Sequence, residues 1–331
     1  MDNQKLVYTP APHLKSDLTV SQAMRDVIIA LIPACLVAIY FFKFYAVFMI
    51  AVCMVTAAVT ELIFRMAMGK KPSLGDYSAL LTGLLVALCL SATTAWWMGA
   101  IATFIAVGIA KELMGGLGWN RFNPALFGRV ALIILAPWIV ALGADFLPWS
   151  INFGPIDVVT RATPLAMLQQ GMEMPGLANL FFAFPGGAMS EVSPFALLIG
   201  AAYLFYRGHI NWRIPVSILA TVFVLALIAG KNPFYHLFTG GLFLGAFFMA
   251  TDWVTSPITN KGKWIFGIAI GVLIIIFRVG LAPTEGVAFS ILIMNAFVPM
   301  IDRATKRPSF SEPKPKRAVA VPGQEQATAK G

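Results

Sequence analysis

Residues 80–94 read "LLTGLLVALCLSATT" and residues 237–252 read "LFTGGLFLGAFFMATD". Allowing one residue of slip, the second echoes the first, with Thr-Gly near the start and a threonine near the end. Both are continuously apolar and lack the period-two alternation of a barrel strand, so both read as lipid-compatible helices. Each follows two apolar spans and precedes two more. Five spans is an odd number, so a duplicated unit would cross the membrane in the opposite sense. Inverted repeats of this kind place cofactor or ion sites near the midplane, where the halves meet.

Composition supports the membrane reading. Of 331 residues, 59% are hydrophobic and 12% charged, with a mean hydropathy of +0.80. Soluble domains carry about twice that share of charge. With roughly 20 apolar residues needed per crossing, about ten transmembrane helices are expected, at 27–42, 45–65, 77–95, 98–113, 123–142, 194–206, 214–229, 236–253, 264–279 and 286–300. The first apolar run begins behind a polar 26-residue tail, which does not read as a cleavable signal peptide.

The basic residues give an independent check. With the N-terminus in the cytoplasm, the external loops hold only Lys43, Arg161, Lys231 and Arg278 of the 24 lysines and arginines, and Arg129 lies within a span. The others fall on the cytoplasmic side, as the positive-inside rule requires. The expectation is therefore an all-α integral membrane protein of two inverted five-helix repeats with both termini cytoplasmic. Residues 1–26 form a cytoplasmic tail, 27–142 the first repeat, 143–193 an external loop, 194–302 the second repeat and 303–331 a disordered basic tail. The tail's lysines suit anionic lipid headgroups. A net charge of +9 scattered between spans is explained by topology, not by nucleic-acid binding. Cys35, Cys53 and Cys89 lie in apolar runs without CxxC spacing, and His13, His209 and His236 share no ligand spacing. No metal is assigned.

The long loop 143–193 includes "NLFFAFPGGAM" (179–189), which suits the outer interface. It also carries the polar segment Asp157-Val158-Val159-Thr160-Arg161-Ala162-Thr163. A threonine hydroxyl is a poor nucleophile without a base, and no His or Lys stands near it, so self-catalysis is not expected. An exposed threonine in a readable sequence can instead receive a group from a separate enzyme. Pro164 opens a short helical run, "PLAMLQQ", with Thr163 as its N-cap. A phosphate at Thr163 would lie against the helix N-terminus.

These residues resemble the flavinylation motif of membrane redox subunits, Asp-x-x-Ser/Thr-Gly-Ala-Ser/Thr, whose last hydroxyl carries FMN through a phosphoester. Asp157, Thr160, Ala162 and Thr163 match, and Arg161 stands where glycine is usual. "GWNRFNPALFGR" (118–129), "FFMATDWVTSPIT" (247–259) and "EGVAFSILIMNAFVPMID" (285–302) extend the resemblance. Together they are similar to the D subunits of Rnf complexes, ion-translocating ferredoxin:NAD oxidoreductases. That family is shared with the B subunit of the sodium-pumping NADH:quinone reductase, whose long N-terminal extension this chain lacks.

The resemblance implies a flavin-bearing subunit that passes electrons between partners while Na⁺ or H⁺ crosses the membrane. It implies partner flavin and iron–sulfur subunits, a flavin transferase for maturation, and a bacterial or archaeal cytoplasmic membrane with the FMN loop outside. The chain would not be catalytic alone, since it has neither a Rossmann glycine fingerprint nor clustered cysteines. Asn120 and Asn123 admit two readings. Asn123 before Pro124 suits a helix N-cap. In the related B subunit, a similar Asn-x-x-Asn-Pro-Ala segment is associated with non-covalent riboflavin. Glu61, Lys111, Glu112, Arg278 and Glu285 lie near span ends and are expected to snorkel. Asp252, at the end of the repeated helix, is the candidate for ion coupling. A redox-free secondary transporter with inverted repeats would share the ten helices, the repeat and the small-residue helices, but has no use for Asp157–Thr163.

Overall fold

The computed structural model describes residues 19–71, 73–91, 94–141, 164–170, 172–184, 186–281 and 285–306, and these are helical apart from turns and one isolated bridge between Ser91 and Ala188. Helix α1 spans Val20–Ala67, 48 residues. At 1.5 Å per residue that is about 72 Å, more than twice a bilayer's hydrocarbon core. Lys43 interrupts it with φ 52° and ψ −133°. The arms 20–42 and 44–67 contain the first two expected spans. The first arm begins earlier than its span, because Thr19 and Gln22 form a reciprocal capping box.

α2 (Ser78–Cys89) covers only the first part of expected span 77–95. Leu90 turns extended, and its carbonyl accepts from the Met189 N–H at 3.0 Å. α3 (Trp96–Phe104) runs on into π-helical turns over Ile105–Leu113. α4 is Pro124–Ala141, α5 Pro164–Gln169, α6 Leu177–Phe182, α7 Pro194–Tyr206 and α8 Arg213–Ile228. α6 does not float free. Phe181 meets Phe195 of α7 and Phe238 of α9 (Pro233–Phe238).

Expected span 236–253 is two pieces, a correction with a clear cause. α9 stops at Phe238, and α10 (Leu242–Leu244) restarts it and widens into a π turn at Gly245–Met249. Between them Gly240 and Gly241 adopt φ +70° and +65°, left-handed values that suit glycine. The freed carbonyls must find donors at this depth. Arg278 provides them, donating through Nη1 to His236 O and through Nη2 to Thr239 O (2.8 Å). Arg278 belongs to a third π segment, Phe277–Leu281, which continues α11 (Asn260–Ile276). α12 (Gly286–Thr305) runs past the expected end of its span.

Among the described residues, four helical stretches are long and apolar enough to cross a membrane: Val20–Ala67, Trp96–Leu113, Asn260–Gly280 and Gly286–Thr305. Shorter apolar helices accompany them. The chain is a multi-pass, all-helical membrane protein. α1 packs on α2, α3 and α7, while α11 packs on α8 and α12. A small residue sets the α1–α7 approach: a Cβ at Gly200 would stand 1.9 Å from Ala30 O.

Candidate functional site

A cavity with about 840 Å³ of empty space, counting its open mouth, lies beside the start of α1. Leu85, Phe247 and Phe248 give it apolar walls, and Ser78, Lys111, Asn120, Asn123, His209 and Asp252 bring polar groups to it. Three of the sequence-selected residues, Asn120, Asn123 and Asp252, thus converge on one space.

The geometry assigns Asn123 a structural task. Its Oδ1 accepts from the Leu126 N–H at 3.2 Å, capping α4, and its Nδ2 donates to Met249 O at 3.2 Å. The N-cap reading therefore holds for Asn123, which also ties α4 to the π turn of α10. Asn120 donates through Nδ2 to Phe122 O at 3.2 Å. Asp252 shapes its own loop, accepting from Thr255 Oγ1 (3.1 Å) and the Val254 N–H (3.4 Å).

The expectation of snorkelling fails for the charges beside this cavity. Glu61, Lys111 and Glu112 are almost fully buried. Lys111 Nζ donates to Ser78 Oγ at 2.6 Å and pairs with Glu61 Oε2 at 3.3 Å. Arg65 Nε lies 3.3 Å from both Glu61 and Glu112, and Ser73 donates to Glu61. Two acids and two bases balance inside the bundle, which explains why charges persist there. Glu61 and Arg65 share α1 at i,i+4, whereas Lys111 and Glu112 reach them from the π segment that follows α3, so spacing along the chain did not reveal the cross-helix pairs.

Sequence reasoning also missed His209. Its Nε2 is 2.7 Å from Asp26 Oδ2, and Asp26 also accepts from Arg207 Nε at 2.9 Å and Tyr203 Oη at 3.3 Å. Trp253 Nε1 donates to His209 O at 2.6 Å. The only sequence signal is an acid just before the first span and a histidine just after the sixth.

A second, smaller space is lined by Arg129, Glu191, Gly240, Gly241 and Glu285. Arg129 and Glu285 form a two-pronged ion pair, Nε to Oε2 at 2.7 Å and Nη2 to Oε1 at 2.8 Å. α5 docks nearby. Leu165 is buried and would lie 3.1 Å from a Cβ on Gly240. The helix starting at Pro164 is as expected, whereas Asp157, Thr160, Ala162 and Thr163 lie outside the described residues, as do most of both terminal tails.

The chain matches the family described as NQR2, RnfD, RnfE over residues 7–311. It is 39% identical over 321 residues to the D subunit of the Na⁺-translocating ferredoxin:NAD⁺ oxidoreductase complex of Acetobacterium woodii, covering 96% of this chain and 99% of that protein. It is 39% identical to the D subunit of the proton-translocating ferredoxin:NAD⁺ oxidoreductase complex of Clostridium ljungdahlii, covering 91% and 94% respectively. To the D subunit of the ion-translocating oxidoreductase complex of Cronobacter sakazakii it is 36% identical, covering 89% and 96%.

Proposed function

Because the chain belongs to the NQR2, RnfD, RnfE family, we propose that it is the D-type membrane subunit of an ion-translocating ferredoxin:NAD oxidoreductase complex and that it carries flavin. The near-full-length likeness to such subunits carries this reading. The protein sits in a bacterial or archaeal cytoplasmic membrane, as about ten helices in two inverted repeats with both termini inside. It works with the flavin and iron–sulfur subunits of the complex, and Na⁺ or H⁺ is the ion moved.

In this reading Thr163 bears FMN through a phosphoester made by a flavin transferase, with Asp157, Thr160 and Ala162 as the recognition motif. The acceptor is one peptide bond from Pro164, where α5 begins. The larger cavity suits a second, non-covalent flavin such as riboflavin. A tricyclic ring needs apolar faces and polar partners at its edge, and this cavity supplies both from Leu85, Phe247, Phe248, Asn120 and Ser78. Flavins exchange electrons singly or in pairs, which is the chemistry they supply here. The protein's residues hold the ring, exclude water from its apolar faces and set the charge around it.

The test is a denaturing gel of the chain co-expressed with its flavin transferase, read by in-gel fluorescence. A fluorescent wild-type band and a dark Thr163→Ala band are expected. A dark wild-type band contradicts the covalent flavin, and fluorescence surviving in Thr163→Ala contradicts the acceptor.

A further inference from the structure

Asp26 and His209 are 183 positions apart, yet His209 Nε2 and Asp26 Oδ2 lie 2.7 Å apart with both residues more than nine-tenths buried. Fixing Asp26 does not require the histidine. Arg207 already supplies a charged donor at 2.9 Å, and its side chain is 43% exposed. The carboxylate thus joins two unlike groups. One is a permanent cation that reaches solvent. The other is an imidazole that lines the larger cavity beside Asn120 and Asp252.

The other ionisable groups facing this space are committed. Lys111 is held by Ser78 and Glu61, and the Asp252 oxygens accept from Thr255 and Val254. Tyr203 donates to Asp26, and the Trp253 indole N–H is spent on His209 O. With Nε2 engaged by Asp26, His209 retains Nδ1, for which the described residues supply no hydrogen-bond partner. An imidazole held at one nitrogen by a buried carboxylate, with its other nitrogen uncommitted, is arranged for proton exchange.

We propose that His209 exchanges protons with a redox-active ring held in this cavity, and that Asp26 is the residue that positions it. This rests on the cavity being a flavin site. When an electron reaches the ring from the carriers of the partner subunits, the Nδ1–H bond of the imidazolium breaks and its proton passes to a ring nitrogen. Neutral His209 keeps its proton at Nε2, facing Asp26. Water at the open mouth of the cavity then returns a proton to Nδ1, so one proton accompanies one electron.

The experiment uses the whole purified complex. Stopped-flow absorbance follows reduction of the non-covalent flavin across pH and in D₂O, and riboflavin fluorescence quenching on flavin-depleted complex measures binding without turnover. In wild type the rate falls as pH rises, and D₂O slows it. His209→Gln is expected to bind riboflavin within about twofold of wild type, to be reduced at least tenfold more slowly, and to lose both the pH profile and the D₂O effect. Asp26→Asn retains the imidazole but removes the carboxylate that holds Nε2, so reduction slows while the D₂O effect remains. A His209→Gln complex with wild-type rate and pH profile overturns the proton role while leaving the flavin site standing. Loss of riboflavin binding in both variants also overturns it, because the pair would then serve binding alone. A wild-type complex with no non-covalent flavin overturns the role and the flavin site together.

Discussion

Asn123 Nδ2 donates to Met249 O across 126 positions of sequence, joining the first turn of α4 to the π turn that ends α10. One amide therefore caps a helix and holds a wall of the larger cavity in place. Asn123→Ala is expected to lower thermal stability by the loss of a cap, about 1 kcal/mol, plus the cost of leaving Met249 O unsatisfied. Asn120→Ala makes no comparable loss and should instead weaken riboflavin retention. Melting curves in detergent and flavin content after purification separate the two.

The buried Glu61–Lys111 pair predicts strong non-additivity. Removing one partner leaves an uncompensated charge, at a cost of about 3–5 kcal/mol. Lys111→Met should therefore lower the melting temperature sharply, and so should Glu61→Gln. The double variant should be more stable than the sum of the two losses allows. Equal and additive losses would mean that the 3.3 Å approach contributes no coupling.

Arg278 closes the broken helix by donating to both His236 O and Thr239 O. Lysine carries the charge but not the planar fork that meets two carbonyls at once. Arg278→Lys is expected to destabilise the chain by roughly 1–3 kcal/mol, the penalty for one unsatisfied buried group. Gly240→Ala should also destabilise, since it forces a side chain into a left-handed φ and within 2.8 Å of Arg278 Nη2. Protease susceptibility near Thr239 tests both.

Gly200 sets the distance between α1 and α7. Any Cβ there meets the Ala30 carbonyl, so Gly200→Val must separate the helices or strain them, costing about 1–3 kcal/mol. Because Asp26 on α1 and Arg207 at the end of α7 lie just beyond this contact, their ion pair should weaken too. Loss of thermal stability without loss of covalent flavin is the expected result.

These cases show which features the sequence makes legible. Hydropathy placed residues 194–206 and 214–229 on helices that run Pro194–Tyr206 and Arg213–Ile228, because lipid-facing helices must be apolar along their length. Pro164 and the Asn123-Pro124 pair announced helix starts through local capping chemistry, which needs no tertiary information. The break at Thr239–Gly241 was visible as two adjacent glycines, yet apolar flanks made one span the simpler reading. Glu61 with Lys111, Arg129 with Glu285 and Asp26 with His209 were not legible, since their partners are 50, 156 and 183 positions apart. Of the charges expected to snorkel, Glu61, Lys111 and Glu112 are buried in ion pairs and Arg278 is buried against backbone carbonyls, arrangements that packing between separate helices completes.

We propose that this membrane chain carries an electron-transferring flavin at Thr163. The most direct test is peptide mass spectrometry of the segment containing Thr163 from protein matured with a flavin transferase. The account predicts a mass increment of FMN less one water, localised to Thr163 and absent from Thr160. An unmodified Thr163 peptide from a fully assembled complex would contradict it.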